Sequence, residues 1–579
     1  MEPIDSTVRP PRRKRWGRRL IIIGVVAVAL FLIARSFLGV PTIPKGTYLL
    51  LTVENDYPEQ PPDDLFGRIA RGNTMPLIDL IALIHDAGKD ERVAGMVVRV
   101  RSLQIGWAKA QDVRDALVEF RASGKTLIAY LEQEIAPSAL EYYVATAADK
   151  IYQPPGGGAP LTGLSAQYLF LGGVWEKLDI EMQVEKIREY KTAGDMIAAK
   201  EMSPYHREMA NSLLDSVFAQ LIEAIAESRQ LSAETVEAAI DRGPSTPDEF
   251  AAAGLADGPK FLDDLRRELT GADGKLISAE DYDHAGRVTG AKHKIAVVYG
   301  VGAITTGESS GGVLDERAMG SDTITDAFRL AAEDKEARAI VFRIDSPGGS
   351  ALASDLIWRA TQDARAVKPV VVSMSDVAAS GGYYSATGAN RIIAEPATLT
   401  GSIGVVMVKP NVAGFLARLG VNTTTLARGK LARMLSLTSS LTEAERARLV
   451  SSINYIYDTF LKRVADGRHL SRDQVDEIGR GRVWTGQQAQ SVGLVDELGG
   501  FTTAINAAKS LVGIPESEPV ELVFYPKHRP ILERLSRLLA ARIVGEMPAW
   551  WSAVRASFPP VDVPDGSLLT LMPERIVIR

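Results

Sequence analysis

The sequence predicts an α/β protein made of two tandem copies of one domain, placed after a single apolar segment near the N-terminus. Three observations lead there. Short β-branched and aliphatic runs alternate with longer stretches of helical period, the second half of the chain repeats the first at a nearly constant offset, and a basic stretch precedes an uncharged apolar run. Runs this short and apolar, separated by helices, are the pattern of strands buried on both faces of a parallel sheet.

The apolar segment comes first in the chain. Residues 1–19 carry seven basic residues against Glu2 and Asp5, a local charge of +5. Leu20 to Ala34 is uncharged, and counting past Arg35 to Val40 gives twenty-one residues, enough to span a ~30 Å hydrocarbon core if Arg35 snorkels. Basic residues on the N-terminal side put that end in the cytoplasm and the body across the membrane. A cleavable export signal begins the same way, but no clear A-x-A-like site follows, so a retained single-pass anchor over 20–40 is expected. The net charge of the whole chain is −6, so the rest carries −11, which argues against a nucleic-acid footprint.

The body shows the duplication. Arg229, Leu231-Ser232, Thr246, Gly254-Leu255 and Asp257 recur 239 positions later as Arg468, Leu470-Ser471, Thr485, Gly493-Leu494 and Asp496. Upstream, Asp90–Val100 resembles Asp334–Ile344, and Tyr142-Tyr143 resembles Tyr383-Tyr384. The expected organisation is a basic tail 1–19, the anchor 20–40, a first repeat 41–285, a second repeat 286–525 and a tail 526–579. In the second repeat, Ile295–Tyr299, Ala339–Ile344, Val370–Ser373 and Arg391–Ala394 read as strands. Asp322–Ala332, Ser350–Ala366 and Thr442–Ala465 read as helices. In the tail, Ile531, Leu532, Leu535, Leu538, Leu539 and Ile543 share one helical face, with Arg534, Arg537 and Arg542 elsewhere and Trp550-Trp551 beyond. Such a helix is suited to a membrane surface or to packing on the body or a neighbouring subunit.

Composition limits the chemistry. With no cysteine, disulfides, thiolate nucleophiles and iron–sulfur clusters are excluded, and six scattered histidines form no H-x-x-x-H pair. No metal or cofactor is expected, which leaves hydroxyls, amines, carboxylates and backbone. The two copies differ where such chemistry would sit. The second has Asp345-Ser346-Pro347-Gly348-Gly349-Ser350 where the first has Arg101 to Gly106, and Ala378-Ala379-Ser380-Gly381-Gly382-Tyr383 where the first has Pro137 to Tyr142. Paired glycines let backbone N–H groups approach a ligand oxygen. Ser380 stands just after a strand, at the edge where open α/β sheets bind ligands. The joint reading is a serine nucleophile with an oxyanion hole from the N–H groups of Gly349 and Gly381. No histidine lies between His293 and His469 and no G-x-S-x-G surrounds Ser380, so a Ser-His-Asp triad has no local support. A lysine serves as base if burial lowers its pKa from about 10.4. Residue chemistry alone does not say which lysine.

Taken together, DSPGGS (345–350), AASGGYY (378–384), TLTGSIG (398–404), EYKTA (189–193) and VWTGQQAQSVGLVDELG (483–499) resemble the signal peptide peptidase A (protease IV) family in its long two-domain bacterial form. The likeness runs from about residue 20 to about 525. It implies two tandem Clp-protease/crotonase-like domains and a serine endopeptidase with a Ser/Lys dyad. Ser380 matches the family's nucleophile, Lys191 the general base, Ser402 the serine that orients the lysine, and Gly349 and Gly381 the oxyanion donors. Lys430, in Arg-Gly-Lys-Leu-Ala, lies near the position equivalent to Lys191 and is the alternative base. The resemblance further implies unfolded hydrophobic peptides as substrates, signal peptides above all, a homotetramer, and a catalytic body on the periplasmic side of the bacterial inner membrane. The tail after 526 departs from the family's usual end. Two other readings of the same fold stand beside this one. A crotonase-type acyl-CoA enzyme gains nothing from an exported body, and a catalytically inactive membrane scaffold would not need Ser380, Lys191 and Ser402.

Overall fold

The run Ala339-Ile340-Val341-Phe342 is fully buried at every side chain, so it needs cover on both faces and a hydrogen-bonded neighbour at each edge. In the computed structural model it has both. Described are residues 43–60, 75–134, 138–272, 274–284, 291–312, 315–526 and 569–571. The expected anchor 20–40, the amphipathic helix and Trp550-Trp551 of the tail lie outside the described residues. Among the described residues no helix is long and apolar enough to cross a membrane.

Strand Ala337–Ser346 pairs in parallel with His293–Val301 and Val370–Ala379, so that Val341 faces Val297 on one side and Val371 on the other. Arg391–Ala394 extends the sheet beyond Val370–Ala379, and Val520–Tyr525 closes the opposite edge. The first copy has the same order: Lys150–Tyr152, Thr126–Leu131, Val93–Leu103, Thr47–Asn55, all parallel. Helices Ser321–Glu333, Ala351–Arg365 and Glu443–Arg468 fall where their period places them. Ser350 and Thr442 stand outside the last two as N-caps, because each hydroxyl accepts an amide of the first turn.

A further sheet, absent from the sequence reading, joins the copies. Its order is Glu181–Lys186, Val406–Asn411, Leu569–Leu571, Gly348–Ser350, Ala303–Thr305, Asp315–Gly320, Ser310–Gly312. Glu181–Lys186 of the first copy runs antiparallel to Val406–Asn411 of the second, with Lys186 opposite Val406 and Glu181 opposite Asn411. That ladder carries residues 187–193 out of the first copy and onto the second.

Apolar packing is also continuous across the copies. Val297, Val341, Val371 and Phe501 cluster with Leu49, Met96 and Leu117. Within this boundary Arg343, fully buried, donates to both carboxylate oxygens of Glu59 (2.9 and 3.1 Å), to Asp112 Oδ2 (3.0 Å) and to Ser373 Oγ (2.9 Å). Burial by itself would push the Glu59 carboxyl up, but the Arg343 guanidinium and the Lys109 ammonium hold it well below the usual range. The pair is therefore ionised and locks the copies together. Arg343→Met is expected to lower unfolding stability by ~3–5 kcal/mol, because removing one partner leaves carboxylates uncompensated in a dry interface. Urea unfolding followed by circular dichroism checks this. A change below ~1 kcal/mol would mean that water reaches the network.

Candidate active site

Strand Val370–Ala379 ends at Ser380, which opens the helix Gly381–Ala386. Its backbone turns sharply there, with φ 55° and ψ −114°, a region costly for any residue with a Cβ. The amide of Ser380 donates to Gly401 O (2.8 Å), and its carbonyl accepts the Tyr384 amide (2.8 Å), so the turn is fixed from both sides. A Cβ on Gly382 would stand 2.8 Å from Ser346 O, which explains the second glycine as a close approach between helix and strand. Gly381 supplies an N–H of the first helical turn, whose amides lack intrahelical acceptors.

The strand Gly348–Ser350 contacts this short helix. Gly349 crosses so near Ile304 that a Cβ would lie 2.1 Å from its carbonyl oxygen. On its other edge the strand pairs antiparallel with Leu569–Leu571, with Gly349 opposite Thr570.

Lys191 arrives from the first copy. Its side chain is fully buried, and Nζ lies 2.8 Å from Ser380 Oγ, 2.9 Å from Ser402 O and 3.0 Å from Ser402 Oγ. Burial pushes its pKa well below that of an ordinary lysine, with no charged neighbour as a cause. Ser402 is buried too, in a left-handed conformation (φ 51°), and its amide donates to Arg482 O (2.7 Å). Ser380, Lys191 and Ser402 are thus brought together, with Gly381 adjacent and Gly349 on the facing strand. Lys430 is not brought to them; it stands exposed in a turn after Gly429. Among the described residues no cluster of histidine, aspartate and glutamate could hold a metal ion.

The first copy differs at the corresponding place. Ala139 stands where the second copy has Ser380, and the buried Glu141 accepts the Leu103 amide through Oε1 (2.9 Å). The reading of the sequence missed the loop Gly479–Arg482, which touches Lys191 from the second copy. Its signal was available in the contrast between Gly-Arg-Gly-Arg there and Ile240-Asp241-Arg242-Gly243 at the same place in the first copy.

The sequence matches peptidase family S49 twice, over residues 119–274 and 362–515. The chloroplastic serine protease SPPA of Arabidopsis thaliana is 34% identical over 515 residues, spanning 86% of this chain and 74% of that protein. Protease 4 of Salmonella typhi is 32% identical over 515 residues, 86% of this chain and 81% of its own. Among solved structures, ClpP1 from Listeria monocytogenes is similar at 16% identity and a TM-score of 0.22, over 35% of this chain and 91% of that one.

The buried amine has a measurable consequence for stability. The unfolded chain holds the Lys191 proton up to about pH 10.4, whereas the folded chain releases it at much lower pH. Between those limits the unfolded state binds more protons, so the contribution of Lys191 to stability rises with pH and is lost as pH falls. Wild type measured against Lys191→Met is expected to gain ~1.4 kcal/mol per pH unit inside this window. Paired urea titrations from pH 7 to 10 check the slope, and a flat difference would show that the amine stays charged in the fold.

Proposed function

Because the chain belongs to peptidase family S49 and is a serine peptidase, we propose that it is a membrane-anchored endopeptidase working through a dyad of Ser380 and Lys191. The observation that carries this reading is the 2.8 Å approach of a fully buried Nζ to the Ser380 hydroxyl. A neutral amine has two N–H donors and one lone pair. Ser402 O and Oγ take up the N–H groups, which turns the lone pair towards the Ser380 O–H.

Lys191 accepts the hydroxyl proton as Ser380 Oγ bonds to the carbonyl carbon of a peptide. The oxyanion that forms is held by the N–H groups of Gly349 and Gly381, each such donor being worth ~10²–10³ in rate. The ammonium then gives its proton to the departing amine as the C–N bond breaks. Water, deprotonated by Lys191, bonds to the acyl carbon, and the ammonium returns its proton to Ser380 Oγ as the ester bond breaks. Ser402 orients the amine throughout. The slot for the substrate main chain is the edge of Gly348–Ser350 on which residues 569–571 lie as an antiparallel strand, so an extended substrate would take their place there.

The remaining parts of the proposal concern setting and substrate. The basic stretch before the apolar run 20–40 supports an anchor in the bacterial inner membrane with the body on the periplasmic side. A peptidase so placed would meet signal peptides left in the bilayer after export, together with other unfolded hydrophobic peptides. Assembly into a homotetramer is proposed on the resemblance to the long family form.

Ser380→Ala and Lys191→Ala are each expected to lower kcat on a fluorogenic apolar peptide by at least ~10³-fold, since the base and nucleophile act as a unit. Lys430→Ala is expected to stay within about twofold of wild type. An active-site phosphonate should label the wild type and not Ser380→Ala. Full activity in Lys191→Ala would overturn the dyad. For the substrate, a released signal peptide should be cut in detergent while a folded soluble protein is left intact, and the reverse pattern would refute the substrate class.

A further inference from the structure

Lys191 is held by more than its own ammonium contacts. The four residues Gly479-Arg480-Gly481-Arg482 join the helix Arg472–Ile478 to the strand Val483–Thr485 in the second copy, and they grip the lysine segment of the first. Arg480 O accepts the Tyr190 amide (3.1 Å). Gly481 lies flat against Lys191, so close that a Cβ there would stand 2.4 Å from Lys191 N and 2.6 Å from its Cα. Gly404 forms the next wall, with its own Cβ position 3.1 Å from Lys191 Cδ and 3.0 Å from Gly481 Cα. The side chains fasten the flanks. Arg480 pairs with Glu189, Arg482 Nη1 donates to Glu208 Oε1 (2.8 Å), and the Arg482 guanidinium lies 4.9 Å from the Tyr190 ring centre.

The same loop also holds the acceptors of the amine. Gly481 N donates to Ile403 O (2.8 Å) and Arg482 O accepts from Ser402 N (2.7 Å). One short stretch therefore sets the backbone of the lysine and the backbone of Ser402, and the distance between them follows. The first copy supplies a comparison within the chain. At the same offset of 239 positions it has Ile240-Asp241-Arg242-Gly243, and Lys430, the counterpart of Lys191 within the second copy itself, is exposed. The glycine at 481 and the arginines at 480 and 482 occur in the copy that faces a buried lysine.

We propose that the loop Gly479–Arg482 is the positioning element of the lysine base, with Gly481 as the surface on which Lys191 rests and Arg480 and Arg482 as the fasteners of Glu189 and Tyr190. The proposal rests on the reading of Lys191 as base. It adds residues that touch neither substrate nor the reacting atoms and act through Lys191 and the Ser402 backbone that faces it.

The test compares Gly481→Ala, Arg480→Asn and Lys191→Ala in the full chain, with kcat, KM and the pH profile of kcat/KM on a fluorogenic apolar peptide, and Tm alongside. Arg480 has φ 53°, and asparagine tolerates that conformation while removing the guanidinium. Gly481→Ala is expected to lower kcat by about 10²-fold, the loss that follows an ångström of misplacement, with KM within about twofold. The acid limb of kcat/KM should move to higher pH, because an amine lifted off its dry wall regains water and its proton. Arg480→Asn should move both readouts the same way by a smaller amount, and it decides the question if Gly481→Ala does not fold. A folded variant with wild-type kcat and an unmoved acid limb overturns the proposal, as does a loss of kcat matched only by a fall in Tm. If Lys191→Ala retains full activity, the base assignment fails instead. If Lys191→Ala is inactive while the loop variants behave as wild type, only the role of the loop fails.

Discussion

Everything at this site depends on keeping one amine dry. A lysine in water is charged at neutral pH, and each pKa unit of downward shift costs about 1.4 kcal/mol in the charged form. A neighbouring cation could supply such a shift in an open cleft, but burial is the cause at Lys191. Burial demands walls on every side. Those walls are Ser380, Ser402, Gly404 and Gly481, all from the second copy, closing on a side chain sent across by the first. The copies must then be immobile with respect to each other, and the ladder of Glu181–Lys186 with Val406–Asn411 and the buried Arg343 network provide that.

Duplication has divided the labour between the copies. The second keeps the serine turn and both glycine pairs. The first lacks them, and there the buried Glu141, whose carboxyl burial pushes up, accepts the Leu103 amide instead. What the first copy retains is a segment carrying Lys191 on the far side of an inter-copy strand pair. Under the proposed dyad, a base carried beyond the end of one sheet and a nucleophile at the end of another place the precision of catalysis in the joint between copies.

The parts of this arrangement visible in the sequence are those written in local pattern. Fully buried strands such as Ala339–Phe342 announce themselves as apolar runs, and the N-caps Ser350 and Thr442 mark where helices begin. Ser380 is legible because a hydroxyl between a strand and a glycine pair has few structural uses. Lys191 is not legible from residue chemistry, since its burial arises from residues about 190 and 211 positions away and no local signal encodes it; only the motif Glu-Tyr-Lys-Thr-Ala points to it. The inter-copy ladder is hidden for a related reason. Glu181–Lys186 has one strongly apolar side chain besides Met182 and alternates too weakly to read as a strand before its partner is known.

The placement of strain follows the same logic as the placement of glycine. Five residues around the amine have positive φ: Ser380 (55°), Gly401 (76°), Ser402 (51°), Arg480 (53°) and Gly481 (82°). Glycine occupies the two positions where only backbone is needed and a Cβ would strike Trp484 or Lys191. The other three carry side chains in contact at the site: the Ser380 and Ser402 hydroxyls, 2.8 and 3.0 Å from Lys191 Nζ, and a guanidinium paired with Glu189. Each strained residue costs of order 1–3 kcal/mol, and a typical domain has only about 5–15 kcal/mol in reserve. Three such residues beside an uncharged buried amine would consume much of what one small domain can supply. The apolar core shared by both copies is the source of the additional stability. On this argument the first copy is required twice, once for the lysine it sends across and once for the packing that keeps the strained serine turn in place.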